Sequence, residues 1–248
     1  LARFQPAESQ GAANGPIQGI DAAEREKAEA QGYTVADSLS IIATHVTALI
    51  RGNACDLLGR QEVQTLVETL KQNYPAVVNE LIPAVLSLGE LQKVLHCLLT
   101  ENVSIRDLLT IFETLADWAP RTKDIVFLSE KVRQSLARHI NQQYQSEDGF
   151  LSVITIDPQL EERIASSIKT GNEGEQLSLE PDLLQKILAS IQEIVRSTAK
   201  QRPVILCSSR TRRHIKILLL RILPTMGVIS YNEIASDAQV RAVGTVTV

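Results

Sequence analysis

Cysteine, aromatic residues and long apolar runs are scarce in this 248-residue chain. Its three cysteines, Cys55, Cys97 and Cys207, are widely spaced, which excludes a disulfide scaffold and fits a reducing compartment. The chain has no CxxC or HxxxH spacing, so we expect no zinc site. Its longest apolar run, residues 215–223, is interrupted by two basic residues and is far shorter than the roughly 20 residues that a membrane-spanning helix needs. No signal peptide is recognisable.

A strong excess of charge of one sign is also lacking. The net charge is −4, with 44% apolar and 22% charged residues, as in an ordinary globular protein. This balance does not favour nucleic acid or an anionic membrane surface as a partner. The length is sufficient for two domains with cores of their own. Because the sequence begins with Leu1 rather than Met, we expect a fragment of a longer protein.

The N-terminal part changes from irregular to helical patterns. Residues 1–19 are rich in Gly, Pro, Gln and Ala without a period, which predicts a linker or poorly ordered arm. Residues 21–31 predict a helix with Asp21 as its N-cap. Residues 38–51 predict an amphipathic helix, because apolar residues recur at helical spacing. These apolar residues are Leu39, Ile42, Val46, Leu49 and Ile50.

Residues 53–144 predict five or six short helices and little else. The stretch from Val103 to Asp124 predicts one helix with Ser104 as its N-cap and Pro120 as its end. Its predicted buried stripe consists of Ile105, Leu108, Leu109, Phe112 and Leu115. Residues 125–144 then predict a single helix, with Val132, Leu136 and Ile140 on one side.

After residue 149 the pattern indicates strands separated by helices. Residues 150–157 and 240–248 alternate as strands do, and residues 203–209 form the continuous apolar run of a buried parallel strand. A further strand is expected within 226–234. Helices are predicted over 158–168, 180–200 and 210–223, and a flexible connection over 169–176. The predicted architecture is a small α/β layer with a partly parallel sheet.

Catalytic candidates are weak, and we expect neither a catalytic residue nor a cofactor. His96 and Cys97 are adjacent on a helix and point in different directions, so a core cysteine beside an ordinary histidine is favoured. Asp107, Glu113 and Asp117 fall on the polar side of their helix, where solvated carboxylates are the usual case.

Two polar segments allow a second interpretation. In residues 207–214 a strand ends at two serines and a helix with three arginines, which suggests phosphate binding at a helix start. No glycine-rich loop accompanies it, and a solvated arginine face is favoured.

Thr44 and His45 interrupt an apolar stretch, either as satisfied helix polar groups or as the lining of a groove, and the first reading is favoured.

Longer segments carry a family resemblance. The chain contains LLGRQE (57–62), VSIRDL (103–108), TLADWAP (114–120) and YNEI (231–234). Over about residues 19–248 it resembles the FlhA/LcrD/InvA family of type III export-gate proteins, and the flagellar FlhA branch more than the virulence branch. The resemblance implies the non-enzymatic cytoplasmic half of a protein anchored by an N-terminal membrane half. The cytoplasmic half is expected to form a nonameric ring and to receive chaperone–substrate complexes and the export ATPase complex.

The resemblance also implies an α+β multidomain fold. An all-helical subdomain (53–137) is followed by a small α/β layered subdomain (138–248). Both are preceded by the remnant of another α/β subdomain (20–52) and by the arm (1–19). In such proteins chaperones bind between the first two subdomains, through an Asp and a Phe that ANGPIQGI (13–20) lacks and a Thr that matches Thr44. Thr44 is therefore the expected partner-binding residue, and docking through the usual site is expected to be weakened.

Three further expectations stay open. The helix of Val103–Asp124 should build the helical subdomain and leave PRTKD (120–124) for neighbouring subunits or solvent. A virulence injectisome gate would have the same fold with different cargo. A nucleotide-binding α/β enzyme would use residues 207–214 as its phosphate cradle, and a nucleotide titration would distinguish it.

Overall fold

The computed structural model describes residues 2–4, 17–19, 25–30, 34–171, 174–198 and 201–248. It divides into two compact units, Leu1–Gly59 and Arg60–Val248. The predicted N-cap Asp21 lies outside the described residues. The division predicted at residues 19, 52 and 137 remains a prediction.

The described residues of the first unit form three short strands and three helices. Strand β1 lies between β2 and β3 and is antiparallel to both, so that Ala2 is paired with Gly19 and with Ala36. The elements are β1 (Ala2–Phe4), β2 (Ile17–Gly19), α1 (Arg25–Ala30), β3 (Thr34–Ala36), α2 (Ser38–Gly52) and α3 (Ala54–Leu57). The helix predicted over 38–51 is thus confirmed as α2.

The second unit begins with six helices that surround an aliphatic core. Three of them, α6, α7 and α8, begin after a side-chain cap, and α5 begins at Pro75. At α6, Ser87 and Glu90 form a capping box, which satisfies backbone N–H groups left free at a helix start. The helices are α4 (Arg60–Asn73), α5 (Pro75–Leu81), α6 (Leu88–Thr100), α7 (Leu108–Trp118), α8 (Ile125–Ser135) and α9 (Ala137–Tyr144).

Two of the predicted helix boundaries are wrong. Helix α7 begins at Leu108 and not at Ser104, because the Asp107 carboxylate accepts both the amide and the hydroxyl of Thr110 (3.1 and 2.7 Å). Ile105 therefore lies outside the helix. The single helix predicted over 125–144 is divided at Leu136, whose ψ of 10° departs from helical values. Val132, Leu136 and Ile140 are all buried, as predicted.

An α/β part follows within the same unit. Its sheet has the order β8-β7-β4-β9, and every pairing is parallel. The elements are β4 (Phe150–Ile156), α10 (Pro158–Ser166), β5 (Ile168–Gly171), β6 (Gly174–Leu177), α11 (Pro181–Ser197), β7 (Val204–Cys207), α12 (Ser209–Leu220), β8 (Val228–Ser230) and β9 (Gln239–Val246). A 3-10 turn, Tyr231–Glu233, follows β8.

The strand predicted over 150–157 is confirmed as β4, and it is buried on both faces. Ile154 and Ile156 join the core cluster formed with α10, α11 and α12. Leu151 and Val153 are buried as well, and helix α9 packs against β4. The six-helix part thus covers the face that an isolated α/β layer would leave in solvent.

Within the connection predicted to be flexible over 169–176, the described residues belong instead to two paired strands. Strands β5 and β6 pair antiparallel, with Ile168 opposite Leu177 and Gly171 opposite Gly174. Leu177 packs on the α/β core, which gives this short polar segment an apolar anchor that its composition does not reveal.

The architecture is therefore mixed α and β, with a helical region followed by a four-stranded parallel sheet layered with helices. Within the described ranges, no helix combines the length and apolarity that crossing a membrane requires.

Candidate partner-binding surfaces

Thr44 lies near the middle of α2, with its side chain exposed. Its hydroxyl donates a hydrogen bond to the carbonyl oxygen of Ser40 at 2.7 Å, which leaves the hydroxyl oxygen free to accept. The helix begins at Asp37, which accepts the Ser40 amide at 2.9 Å. Hydrogen bonds from the Ser40 hydroxyl and amide lower the pKa of Asp37. Thr44 is thus a locally satisfied residue on an exposed, firmly capped helix.

The apolar stripe of α2 is exposed along its length. Leu39, the most exposed of its members, retains 78% of its surface. The other exposed members are Ile42, Val46, Leu49 and Ile50. Contiguous exposed apolar surface of this kind is typical of an interaction site. The periodicity predicts the stripe correctly but cannot reveal that it is uncovered.

The start of α12 already holds an anion. A Glu161 carboxylate oxygen accepts the Ser208 amide at 2.6 Å and the Thr211 hydroxyl at 2.8 Å. A carboxylate from α10 therefore takes the position that a phosphate would need. Arg210 donates to the carbonyl of Ala165 at 3.3 Å instead of extending towards a ligand. This geometry argues against a phosphate-binding site in residues 207–214.

The solvated arginine face expected for α12 is wrong for Arg212, which is 0% exposed. Its guanidinium donates to Glu101 at 2.5 and 3.0 Å, and its Nε donates to Glu130 at 2.7 Å. Arg133 bridges Glu101 at 3.1 Å and Glu233 at 2.6 Å. Arg212 is thus a structural cation between the helical and α/β parts, and not a ligand-binding group.

The three candidate carboxylates do not form a catalytic pair. Asp107 caps α7 and lies 3.9 Å from Nδ1 of His139. Glu113 and Asp117 are exposed on α7, as predicted. Neither of them pairs with Asp107, so we assign Asp107 a helix-capping role.

His96 and Cys97 are both half-buried on α6. Burial raises the pKa of the Cys97 thiol, and burial raises that of Cys207 to about 12. Thiols held protonated in this way are poor nucleophiles and poor metal ligands. Across the described part of the chain, no group of three or more His, Cys, Asp or Glu is arranged to hold a metal ion.

One polar cleft has no counterpart in the sequence pattern. It has a volume of about 570 Å³ and is lined by Ser104, Arg106, Asp107, His139, Gln142 and Gln143. Two segments more than thirty positions apart supply these residues. The packing of α9 beside the approach to α7 brings them together, and no local spacing predicts it.

Known sequences match along almost the whole chain. The FHIPEP family model matches residues 5–239. The flagellar biosynthesis protein FlhA of Bacillus subtilis is 40% identical over 235 residues, which cover 94% of this chain and 35% of that protein. FlhA of Borreliella burgdorferi is 42% identical over 226 residues, covering 90% and 32%. The chain spans about a third of the length of these curated relatives.

Solved structures match as closely in fold. Chlamydia pneumoniae CdsV superposes with a TM-score of 0.85 at 31% identity, covering 96% of this chain and 69% of that chain. The nonameric EPEC SctV-C gives 0.83 at 29%, covering 99% and 77%. CdsV in its complex with CdsO gives 0.80 at 29%, covering 92% and 67%. Sequence and fold agree over the same residues, and the chain belongs to the FHIPEP family.

Proposed function

We propose that this chain is the cytoplasmic part of a flagellar type III protein export gate, a docking platform and not an enzyme. The observation that carries the proposal is the continuous match to flagellar FlhA proteins, at 40–42% identity over 90–94% of the chain. Identity to the CdsV and SctV-C structures is lower, at 29–31%. The family is one of non-enzymatic transport components.

Ring assembly and partner binding belong to the same proposal. SctV-C is nonameric, and CdsV forms a complex with CdsO. By analogy, this chain assembles as a ring at the cytoplasmic face of the bacterial inner membrane, attached to a membrane half that precedes it. It receives chaperone–substrate complexes and components of the export ATPase complex.

Residues 20–52 are the end of a first α/β subdomain in this proposal, and residues 1–19 are the linker or arm before it. Residues 53–137 form the helical subdomain and 138–248 the C-terminal α/β subdomain. Thr44 belongs to the chaperone-binding surface in this proposal, supported by the exposure of its side chain on α2.

A segment exchange tests the flagellar assignment. The matching segment of Bacillus subtilis FlhA is replaced by this chain, and flagellin released into the medium is measured. The control carries the EPEC SctV cytosolic segment instead. We expect export with this chain and none with the control. If this chain supports secretion only in an injectisome host, the flagellar assignment is wrong. If it fails in both hosts while the chimeras accumulate normally, the docking-platform proposal is wrong.

The injectisome alternative shares the fold of the flagellar gate. The same segment exchange, carried out in an injectisome host, tests it. The nucleotide-binding alternative is weakened by Glu161, which fills the start of α12. A thermal-shift titration with ATP and GTP tests it, because a ligand that binds the folded state raises its stability, and we expect no shift.

A further inference from the structure

The only tryptophan of the chain forms a compact aromatic and cationic cluster at the end of α7. We call this cluster, which consists of Trp118, Arg121, Phe127 and Lys131, the Trp118 platform. The Trp118 and Phe127 rings meet edge to face, with 5.6 Å between centroids. The Lys131 ammonium lies 4.5 Å from the Trp118 centroid, and the Arg121 guanidinium lies 5.1 Å from it.

The loop that carries the platform is held in place without a partner. The amides of Arg121 and Thr122 both donate to the Trp118 carbonyl, at 3.0 and 3.3 Å. The Asp124 carboxylate caps α8 by accepting the amides of Val126 and Phe127, at 2.8 and 3.2 Å. Because the cluster is ordered in advance, binding to it loses little conformational entropy.

The platform leaves apolar and cationic groups accessible. Phe127 is 39% exposed, Arg121 is exposed, and Trp118 and Lys131 are half-buried. Within the described ranges, neither Arg121 nor Lys131 forms an ion pair with a carboxylate. Tryptophan and arginine in a small rigid cluster are the composition of binding hot spots.

The charges around the platform indicate which kind of partner surface it can bind. Lys123, in the same loop, donates to the carbonyl of Val85 and adds a third cation. Of the acidic residues nearby, Asp117 is exposed and Asp124 caps α8, while Glu130 is paired with Arg212. The three basic residues of the platform and its loop outnumber Asp117 and Asp124 by one, so the local surface is slightly positive in a chain of net charge −4. A partner that neutralises it must bring carboxylates together with an apolar side chain.

We propose that the Trp118 platform docks an acidic segment of a partner protein. In this mode a Glu or Asp of the partner meets Arg121 and Lys131, and an adjacent apolar side chain covers Phe127. The inference depends on the cluster alone and stands apart from the assignment of the chain to an export gate.

The sole tryptophan makes the test direct. The whole chain is titrated with a synthetic peptide in which pairs of glutamate alternate with pairs of leucine, and Trp118 emission is recorded. The same peptide with lysine in place of glutamate is the charge control. We expect a saturable emission change with the acidic peptide only. The R121E/K131E variant should weaken binding at least about tenfold, or about 1.4 kcal/mol, and Phe127→Ser should weaken it too.

A matched variant and a mass measurement complete the design. Lys71 is an exposed lysine at the end of α4, and Lys71→Glu should leave the peptide affinity unchanged. Equal binding of both peptides, no saturable change with the acidic peptide, or unchanged affinity in R121E/K131E would overturn the proposal. The proposal would also be overturned if Trp118 emission changed with protein concentration in the absence of peptide while light scattering showed a doubled mass. In that case a second copy of the chain would occupy the platform.

Discussion

Arg212 and Glu101 are joined by two parallel hydrogen bonds across 111 positions of the chain, at 2.5 and 3.0 Å. Glu101 follows α6 in the helical part, and Arg212 lies on α12 in the α/β part. Arg133 contacts the same carboxylate from α8. The two parts of the second unit are therefore connected by a buried network of charges in addition to their apolar contacts.

Replacing Arg212 with methionine should lower the free energy of unfolding by about 3–5 kcal/mol. The substitution keeps much of the side-chain volume but leaves Glu101 and Glu130 without their main cation. Urea unfolding followed by circular dichroism measures the effect. The matched control is Arg138→Met, because Arg138 is 67% exposed and forms only a surface ion pair with Asp237. Such pairs contribute about 0–1 kcal/mol. Equal losses in both variants would show that Arg212 contributes no more than a surface arginine.

The same network should make stability depend on acid pH. Burial by itself would raise the pKa of Glu101, but Arg133 and Arg212 hold it below its ordinary value of 4.5. A carboxyl with a lowered pKa in the folded state contributes stability above its unfolded pKa, and loses that contribution as the pH falls through the folded value. We expect the stability difference between the wild type and Glu101→Gln to narrow below pH 4.5.

Urea unfolding at a series of pH values from neutral to strongly acidic checks this expectation. Glu113→Gln, an exposed substitution on α7, should stay within about 0.5 kcal/mol of the wild type throughout. A difference between the wild type and Glu101→Gln that is independent of pH would contradict the assigned role of Glu101.

Thr44→Asp should leave stability nearly unchanged and weaken partner binding. The side chain is exposed, so the change in unfolding free energy should be within about 0.5 kcal/mol. In the full-length protein, the affinity for a flagellar chaperone–substrate complex should fall at least about tenfold, because a charge would enter the contact. Isothermal titration calorimetry measures it.

Thr65→Asp is the matched control, since Thr65 on α4 is also exposed and donates to a carbonyl four residues earlier. Tight chaperone binding that survives both Thr44→Ala and Thr44→Asp would remove Thr44 from the binding surface.

Gly227→Ala should destabilise the fold by about 1–3 kcal/mol through overpacking. A Cβ at Gly227 would lie 2.6 Å from Cζ of Tyr144 and 2.8 Å from a methyl of Val204. Thermal unfolding compares it with Gly52→Ala, where no atom lies within 4 Å of the added carbon. Since Gly52 is helical, that change should be neutral or stabilising by up to about 1 kcal/mol. A Gly227→Ala protein as stable as the wild type would mean that Tyr144 moves aside at little cost.

Apolar periodicity predicts most helices of this chain, because the stripes of the helices in the second unit face a core, although the stripe of α2 is exposed. It misplaces the start of α7, since Ser104 and Asp107 are both good caps and only the Thr110 contacts favour the second. It also misses the β5–β6 hairpin, whose sequence is polar and glycine-rich. The local sequence pattern does not reveal which of two nearby capping residues starts a helix. It also does not reveal which polar segment gains tertiary contacts.

The candidate surfaces are predicted less well than the fold. The exposed position of Thr44 follows from its place opposite apolar neighbours, but the burial of Arg212 depends on carboxylates about 80 and 110 positions away. The Trp118 platform likewise forms only when α8 returns beside the end of α7. Contacts of this kind depend on how the elements pack, which a single sequence does not reveal.

The pairing of β4 with β9 bears on how this chain is made. The two strands are hydrogen-bonded partners 89 positions apart, and everything between them has to be synthesised before one side of β4 can pair. The six helices contact mostly residues close to them in the sequence, so their packing does not require the C-terminal part to be synthesised. On the ribosome the helical part can therefore reach its native packing first, while β4 keeps an unpaired edge that a chaperone could shield.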